Sequence, residues 1–150
     1  MHDGFSLPRS NWIALLSIAH RYEFLNVRER AIREIYDPHR NLDKGKSGSD
    51  SVTDPEPPDN VTLLSTAEKY DVPLKQVLPT LVELVMRTDT LTEIEITRLS
   101  AATLHRLARA REDYLRARTR SALFRDPDDS PHEVAEGIVS IIWKAGKNKR

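Results

Sequence analysis

The chain of 150 residues contains no cysteine. That excludes disulfides, thiolate nucleophiles and cysteine-ligated zinc together, and it fits a reducing compartment. Net charge is also lacking: 23 basic residues balance 23 acidic ones. A neutral chain has no global attraction to nucleic acid or to an anionic membrane, so any electrostatic function must come from local asymmetry. Long apolar runs are missing as well. The best candidate, Val134 to Trp143, is interrupted by Glu136, Gly137 and Ser140, and it falls far short of the ~20 residues of a membrane helix. The first eight residues lack a basic start followed by an apolar run, so no signal peptide is expected. A cytoplasmic or nuclear location and no membrane partner follow as expectations. Asn60-Val61-Thr62 matches a glycosylation acceptor, and without a secretion signal it reads as chance.

What is present is helical periodicity. Trp12, Leu15, Leu16, Ile18 and Ala19 recur at helical spacing through Tyr22, with Ser10 as the expected cap. Asn26 and Glu29 have the spacing of a capping box ahead of Val27, Ala31, Ile32 and Ile35. Asp37-Pro38 should end that helix, because the residue before proline is pushed out of helical angles. Residues 39–59 hold Gly45, Gly48, serines and prolines with almost no large apolar side chain, and read as a flexible insertion.

Helical signals resume after the insertion. Asp59 or Asn60 should cap a helix carrying Val61, Leu64, Ala67 and Tyr70. Asp71-Val72-Pro73 reads as a tight turn before Leu74, Val77, Leu78, Leu81, Val82 and Val85. Pro79 inside that stripe should kink the helix or mark a later start. Thr92 with Glu95 makes a capping box for a short helix, and Ser100 should cap a long one through Leu104, Leu107 and Leu115. Ser130, Pro131 and Glu133 announce a final amphipathic helix, with Val134, Ile138, Ile141 and Ile142 on one face and Gly146 as its stop. Docking of this helix back onto the body is favoured over capture of a partner, since its apolar row is too large to leave exposed.

The expected fold is therefore all-α. Two stacked helix hairpins are joined by a long helix and a C-terminal amphipathic helix, with a disordered insertion. The divisions are a first helical pair at 1–38, the insertion at 39–59, a main helical body at 60–125, and a loop, helix and basic tail at 126–150, all in one domain. The expected core is Trp12, Leu16, Ile32, Leu64, Tyr70, Leu78, Leu81, Leu104 and Leu107. No clear internal sequence repeat stands out.

In order and spacing, several segments resemble a known family. Trp12 to Ile35 reads W-I-A-L-L-S-I-A-H-R-Y-E-F-L-N-V-R-E-R-A-I-R-E-I, followed by A-E-K-Y-D-V-P at Ala67 to Pro73. Then come L-P-T-L-V-E-L-V at Leu78 to Val85, Leu91-Thr92, and L-H-R-L-A-R-A-R-E at Leu104 to Glu112. Together they resemble the helical region C-terminal to the BTB/POZ domain of mushroom-type (agaricomycete) fungal BTB proteins. The resemblance runs from about Phe5 to Tyr114, leaving the insertion aside. It departs from the family pattern at Asn11, where glutamate is usual, at Leu25, where proline is usual, and at Leu74-Lys75-Gln76, where tryptophan is missing. The BTB domain itself is expected to be absent. The resemblance implies a non-catalytic adaptor module for protein partners, and it brings no catalytic residue or cofactor with it.

The residues read the same way on their own. His2, His20, His39, His105 and His132 are scattered, with no i, i+4 pair to hold a metal. Glu29 with Arg33, and Arg30 with Glu34, have the spacing of solvated surface pairs. No nucleophile-elbow motif or phosphate-cradling glycine loop occurs. No catalytic, cofactor-binding or metal residue is therefore assigned, and no enzymatic activity is expected.

One charge asymmetry stands out. Arg106, Arg109, Arg111, Arg116, Arg118, Arg120 and Arg125 face only Glu112 and Asp113 within their helix. Arginine forks fit phosphate, so the stretch Arg106–Arg125 is the alternative site, for nucleic acid or another anionic partner. The bland reading, a solvated helix neutralised by acids such as Asp126, Asp128 and Asp129, is favoured over it. Ser49, Ser51 and Thr53 in the acidic insertion are candidate phosphorylation sites.

Overall fold

The computed structural model describes residues 7–37, 58–124 and 130–147, and side chains within these except at 121–124 and 146–147. Residues 39–57 of the proposed insertion, its phosphorylation sites, His2, His39 and Arg125 lie outside the described residues, and its last two, Pro58 and Asp59, lead into α3. Every regular element described is a helix: α1 (Arg9–Arg21), α2 (Leu25–Tyr36), α3 (Asn60–Lys69), α4 (Leu74–Met86), α5 (Glu93–Thr97), α6 (Ala101–Phe124) and α7 (Pro131–Lys147). The all-α fold is as expected.

The first two hairpins end their leading helices in the same way. At the end of α1, the Tyr22 N–H donates to Ile18 O and the Phe24 N–H to Ala19 O at 2.9 Å, with Glu23 at φ 56°. At the end of α3, the Tyr70 N–H donates to Thr66 O and the Val72 N–H to Ala67 O at 3.0 Å, with Asp71 at φ 49°. Both turns have the six-to-one bond and left-handed residue of a Schellman cap, with an acidic residue where glycine is usual. Aligned on these turns, Ala19-His20-Arg21-Tyr22-Glu23-Phe24 matches Ala67-Glu68-Lys69-Tyr70-Asp71-Val72: Ala, any, basic, Tyr, acidic, apolar. The chain thus carries a short internal repeat that periodicity alone does not reveal.

Several helix starts differ from expectation. No side chain caps α1, whose first bonds run from the Asn11 and Trp12 N–H groups to Pro8 O, so Ser10 lies inside the first turn. No side chain caps α2 either. The tight turn commits Phe24 to the cap position, and Asn26 falls two residues too late. The remaining caps are where the sequence places them. The Thr62 N–H donates to Asp59 Oδ1 at 2.7 Å, Thr92 and Glu95 close a capping box, and the Thr103 N–H donates to Ser100 Oγ at 3.2 Å. Pro79 sits within a continuous α4, and α7 runs through Gly146 to Lys147.

Helix α4 is the centre of the packing. It touches α2, α3, α6 and α7, and Val77, Thr80, Leu81, Val82, Leu84 and Val85 are all buried. The residues Trp12, Leu16, Ile32, Leu64, Tyr70, Leu81 and Leu107 are buried, while Leu78 and Leu104 are half-buried against the same core. Helix α7 lies on α4 and α6 through Ala135, Val139, Ile142 and Trp143. Ile141 is 69% exposed. The buried face of α7 is thus turned away from Ile141 and takes in Trp143.

Arginine side chains hold helix ends, each through its Nη2 nitrogen. Arg28 donates to Tyr70 O and Asp71 O at the end of α3, and Arg111 donates to Arg87 O and Asp89 O just beyond α4. A guanidinium is favourable there because the last carbonyls of a helix carry its negative end. The Glu68 carboxylate does the opposite service at the start of α6, accepting from the Ser100 N–H and from the hydroxyls of Ser100 and Thr103.

Candidate functional site

Most large apolar side chains in α1 and α2 are buried or half-buried, but others in and around the turn between them lie outside. Tyr22, Phe24 and Leu25 are 61%, 54% and 67% exposed. Ile18, one turn before Tyr22 on α1, and Val27 are exposed as well. The Tyr22 and Phe24 rings are stacked with centroids 6.0 Å apart. Single exposed apolar residues are ordinary, whereas a contiguous cluster marks an interaction surface.

Local geometry explains why the cluster faces outward. Ile18 and Tyr22 are four residues apart and share one face of α1. His20 lies about 200° around the helix from Ile18, and its ring meets the edge of Tyr70 at 5.5 Å in the second hairpin. Trp12, Leu16 and Ala19 bury a third direction. The stripe Asn11, Ala14, Ile18 and Tyr22 therefore points away from the second hairpin, and it is uncharged, while Leu15 beside it packs half-buried against the core. The apolar stripe expected for α1 is in fact two stripes, of which one is covered.

The arginine-rich helix is organised differently. Arg116 pairs with Glu112 at 2.6 Å and Asp113 at 3.6 Å. Arg109 reaches Asp113 at 4.0 Å. Arg111 is engaged with the carbonyls beyond α4. Arg106 is half-buried, and Arg118 and Arg120 are exposed. Two shallow depressions follow this helix, one by His105, Arg109, Asp113 and Arg116, the other by Glu112, Leu115, Thr119 and Arg120. Each is lined by α6 alone, so neither encloses a ligand. Both alternate acid with base, which lowers the local positive potential a phosphate backbone needs.

Shifted ionisation serves the fold. Burial pushes the Tyr36 phenol up, and its hydroxyl donates to Leu63 O at 2.7 Å. The Thr92 backbone N–H and then the Arg87 guanidinium hold the Glu95 carboxyl down at about 2. The Glu95 carboxylate in turn raises Arg87. None of these groups lies on the outer stripe of α1. Among the described residues, no three histidine, aspartate or glutamate side chains converge as a metal site requires, and no helix is long and apolar enough to cross a membrane.

Sequence reasoning missed the outer cluster because it assigned Ile18 and Val27 to core stripes. The sequence carried no local signal for it, since the matching turn residues Tyr70 and Val72 are buried. Comparison with protein-family models, curated proteins and solved structures gave no match to this chain.

Proposed function

We propose that the chain is a non-catalytic protein-interaction module that docks a partner on the outer face of its first helix hairpin. The observation that carries this reading is the exposed cluster of Ile18, Tyr22, Phe24, Leu25 and Val27. Tyrosine and other aromatics dominate binding energy where they are desolvated by a partner. The likeness of the helical series to the region following a fungal BTB domain supports an adaptor role. The test is a comparison of the proteins retained by the wild-type chain and by a Tyr22→Ser/Phe24→Ser variant of equal thermal stability. Loss of specific partners from the variant is the expected result. An identical partner set would overturn the reading.

A further inference from the structure

The internal repeat indicates what the exposed turn is suited to receive. In the second hairpin, Tyr70 is 7% exposed. It is covered by the first hairpin, which sets the His20 ring on its edge and aims Arg28 at the Tyr70 and Asp71 carbonyls. In the first hairpin, Tyr22 occupies the equivalent place and is 61% exposed. Stacked helical repeats bury such faces against a neighbour, and a terminal unit without a polar cap leaves one open. That cover is heterologous, the His20 and Arg28 face of one hairpin on the Tyr70 turn of the next, so it shows that a helical hairpin can bury such a turn and leaves the choice of occupant to charge.

Resting on the docking surface proposed above, we propose that its occupant is the same surface of a second copy of this chain, related by a twofold axis. Charge supports this choice. Tyr22 is bracketed by Arg21 and Glu23, of opposite sign. A twofold contact centred on Tyr22 brings Arg21 of each copy towards Glu23 of the other. An isologous interface must be self-complementary in this way. The rest of the outer stripe, from Asn11 through Ala14 and Ile18, is uncharged, so like charges do not oppose one another there. The zero formal net charge of the chain removes the long-range repulsion that keeps many small domains apart.

Sedimentation equilibrium of the full chain tests the pairing. The wild type is expected to show reversible dimerisation in the micromolar range. Tyr22→Ser/Phe24→Ser should weaken it at least about 30-fold, as expected for removal of buried aromatic anchors, with an unchanged thermal melt at concentrations low enough that the wild type is monomeric, since both side chains are exposed there. Arg21→Glu should also weaken the dimer, and Arg21→Glu/Glu23→Arg should restore it. A wild type that stays monomeric up to millimolar concentration would overturn the pairing, as would dimerisation insensitive to either variant. The two proposals fail separately. A monomer that still loses partners on Tyr22→Ser/Phe24→Ser sinks the pairing and leaves the docking surface. A dimer lost in a variant that keeps every partner sinks the adaptor reading and leaves the pairing.

Discussion

Arg28 and Tyr70 join the two hairpins: the Arg28 guanidinium donates to Tyr70 O at 2.9 Å and to Asp71 O at 3.0 Å. One side chain of α2 thereby satisfies two carbonyls at the end of α3 that the helix cannot pair itself. The contact spans 42 residues of sequence. Replacement by alanine should lower stability by about 1 kcal/mol. Both bonds leave the single Nη2 nitrogen, so a lysine ammonium of nearly matching reach should recover part of the loss. Urea denaturation of the two variants measures the difference, and a lysine variant no more stable than the alanine one would show that a single donor nitrogen does not suffice.

The left-handed residues make the opposite prediction. Asp71 has φ 49°, where a side chain beyond glycine costs about 1 kcal/mol. Asp71→Gly should raise stability by about 0.5 kcal/mol, after the greater backbone entropy of glycine in the unfolded chain is deducted. A fall in the denaturation midpoint would mean that the Asp71 side chain makes a compensating contact.

Core substitutions should rank by burial rather than by helical spacing. Leu81 is fully buried on α4, whereas Leu78 is half-buried. Leu81→Ala should cost about 2–5 kcal/mol, and Leu78→Ala clearly less. Leu81→Asp should abolish the folded state by burying an unpaired charge. Leu78→Asp, which the helical stripe alone would rank as equally damaging, should leave a folded but weakened protein. Circular-dichroism melts check the order.

Stability should fall at both ends of the pH scale for identifiable reasons. Glu95 has a folded pKa of about 2, below the ordinary glutamate value, so its contribution is complete above about pH 4.3 and is lost as the pH falls towards 2. Tyr36 is shifted upward. Its contribution is complete below the ordinary tyrosine value of about 10 and is lost as the pH rises beyond it. Glu95→Gln should flatten the acid limb and Tyr36→Phe the alkaline limb. Melts from pH 2 to 11 that keep both limbs in the variants would reassign them to other groups.

The acids interleaved on α6 predict weak affinity for nucleic acid. A fluorescent DNA duplex titrated at low salt should show little binding, and Arg109→Ala/Arg116→Ala/Arg120→Ala should change it little. Tight, steeply salt-dependent binding that disappears in this variant would instead establish the arginine face as a phosphate-binding surface.

What the sequence determined by itself was mainly local. Helix class follows from apolar spacing, and the caps at Asp59, Thr92 and Ser100 follow from side chains that satisfy N–H groups three residues away. Those interactions span a single turn, so nearby residues suffice to specify them. The failures at Ser10 and Asn26 occur where a neighbouring proline or a tight turn takes over the first bonds. Tertiary structure decided which side of an apolar helix is covered. Along α1, the Trp12–Leu16–Ala19 and Ile18–Tyr22 faces both have helical spacing, and one-dimensional periodicity cannot rank them. Packing on α2, together with the meeting of His20 and Tyr70, selects the first for the core and leaves the second outside. Tyr22 and Tyr70 show the same limit, since matching local sequence produces the same turn while its cover comes from residues tens of positions away.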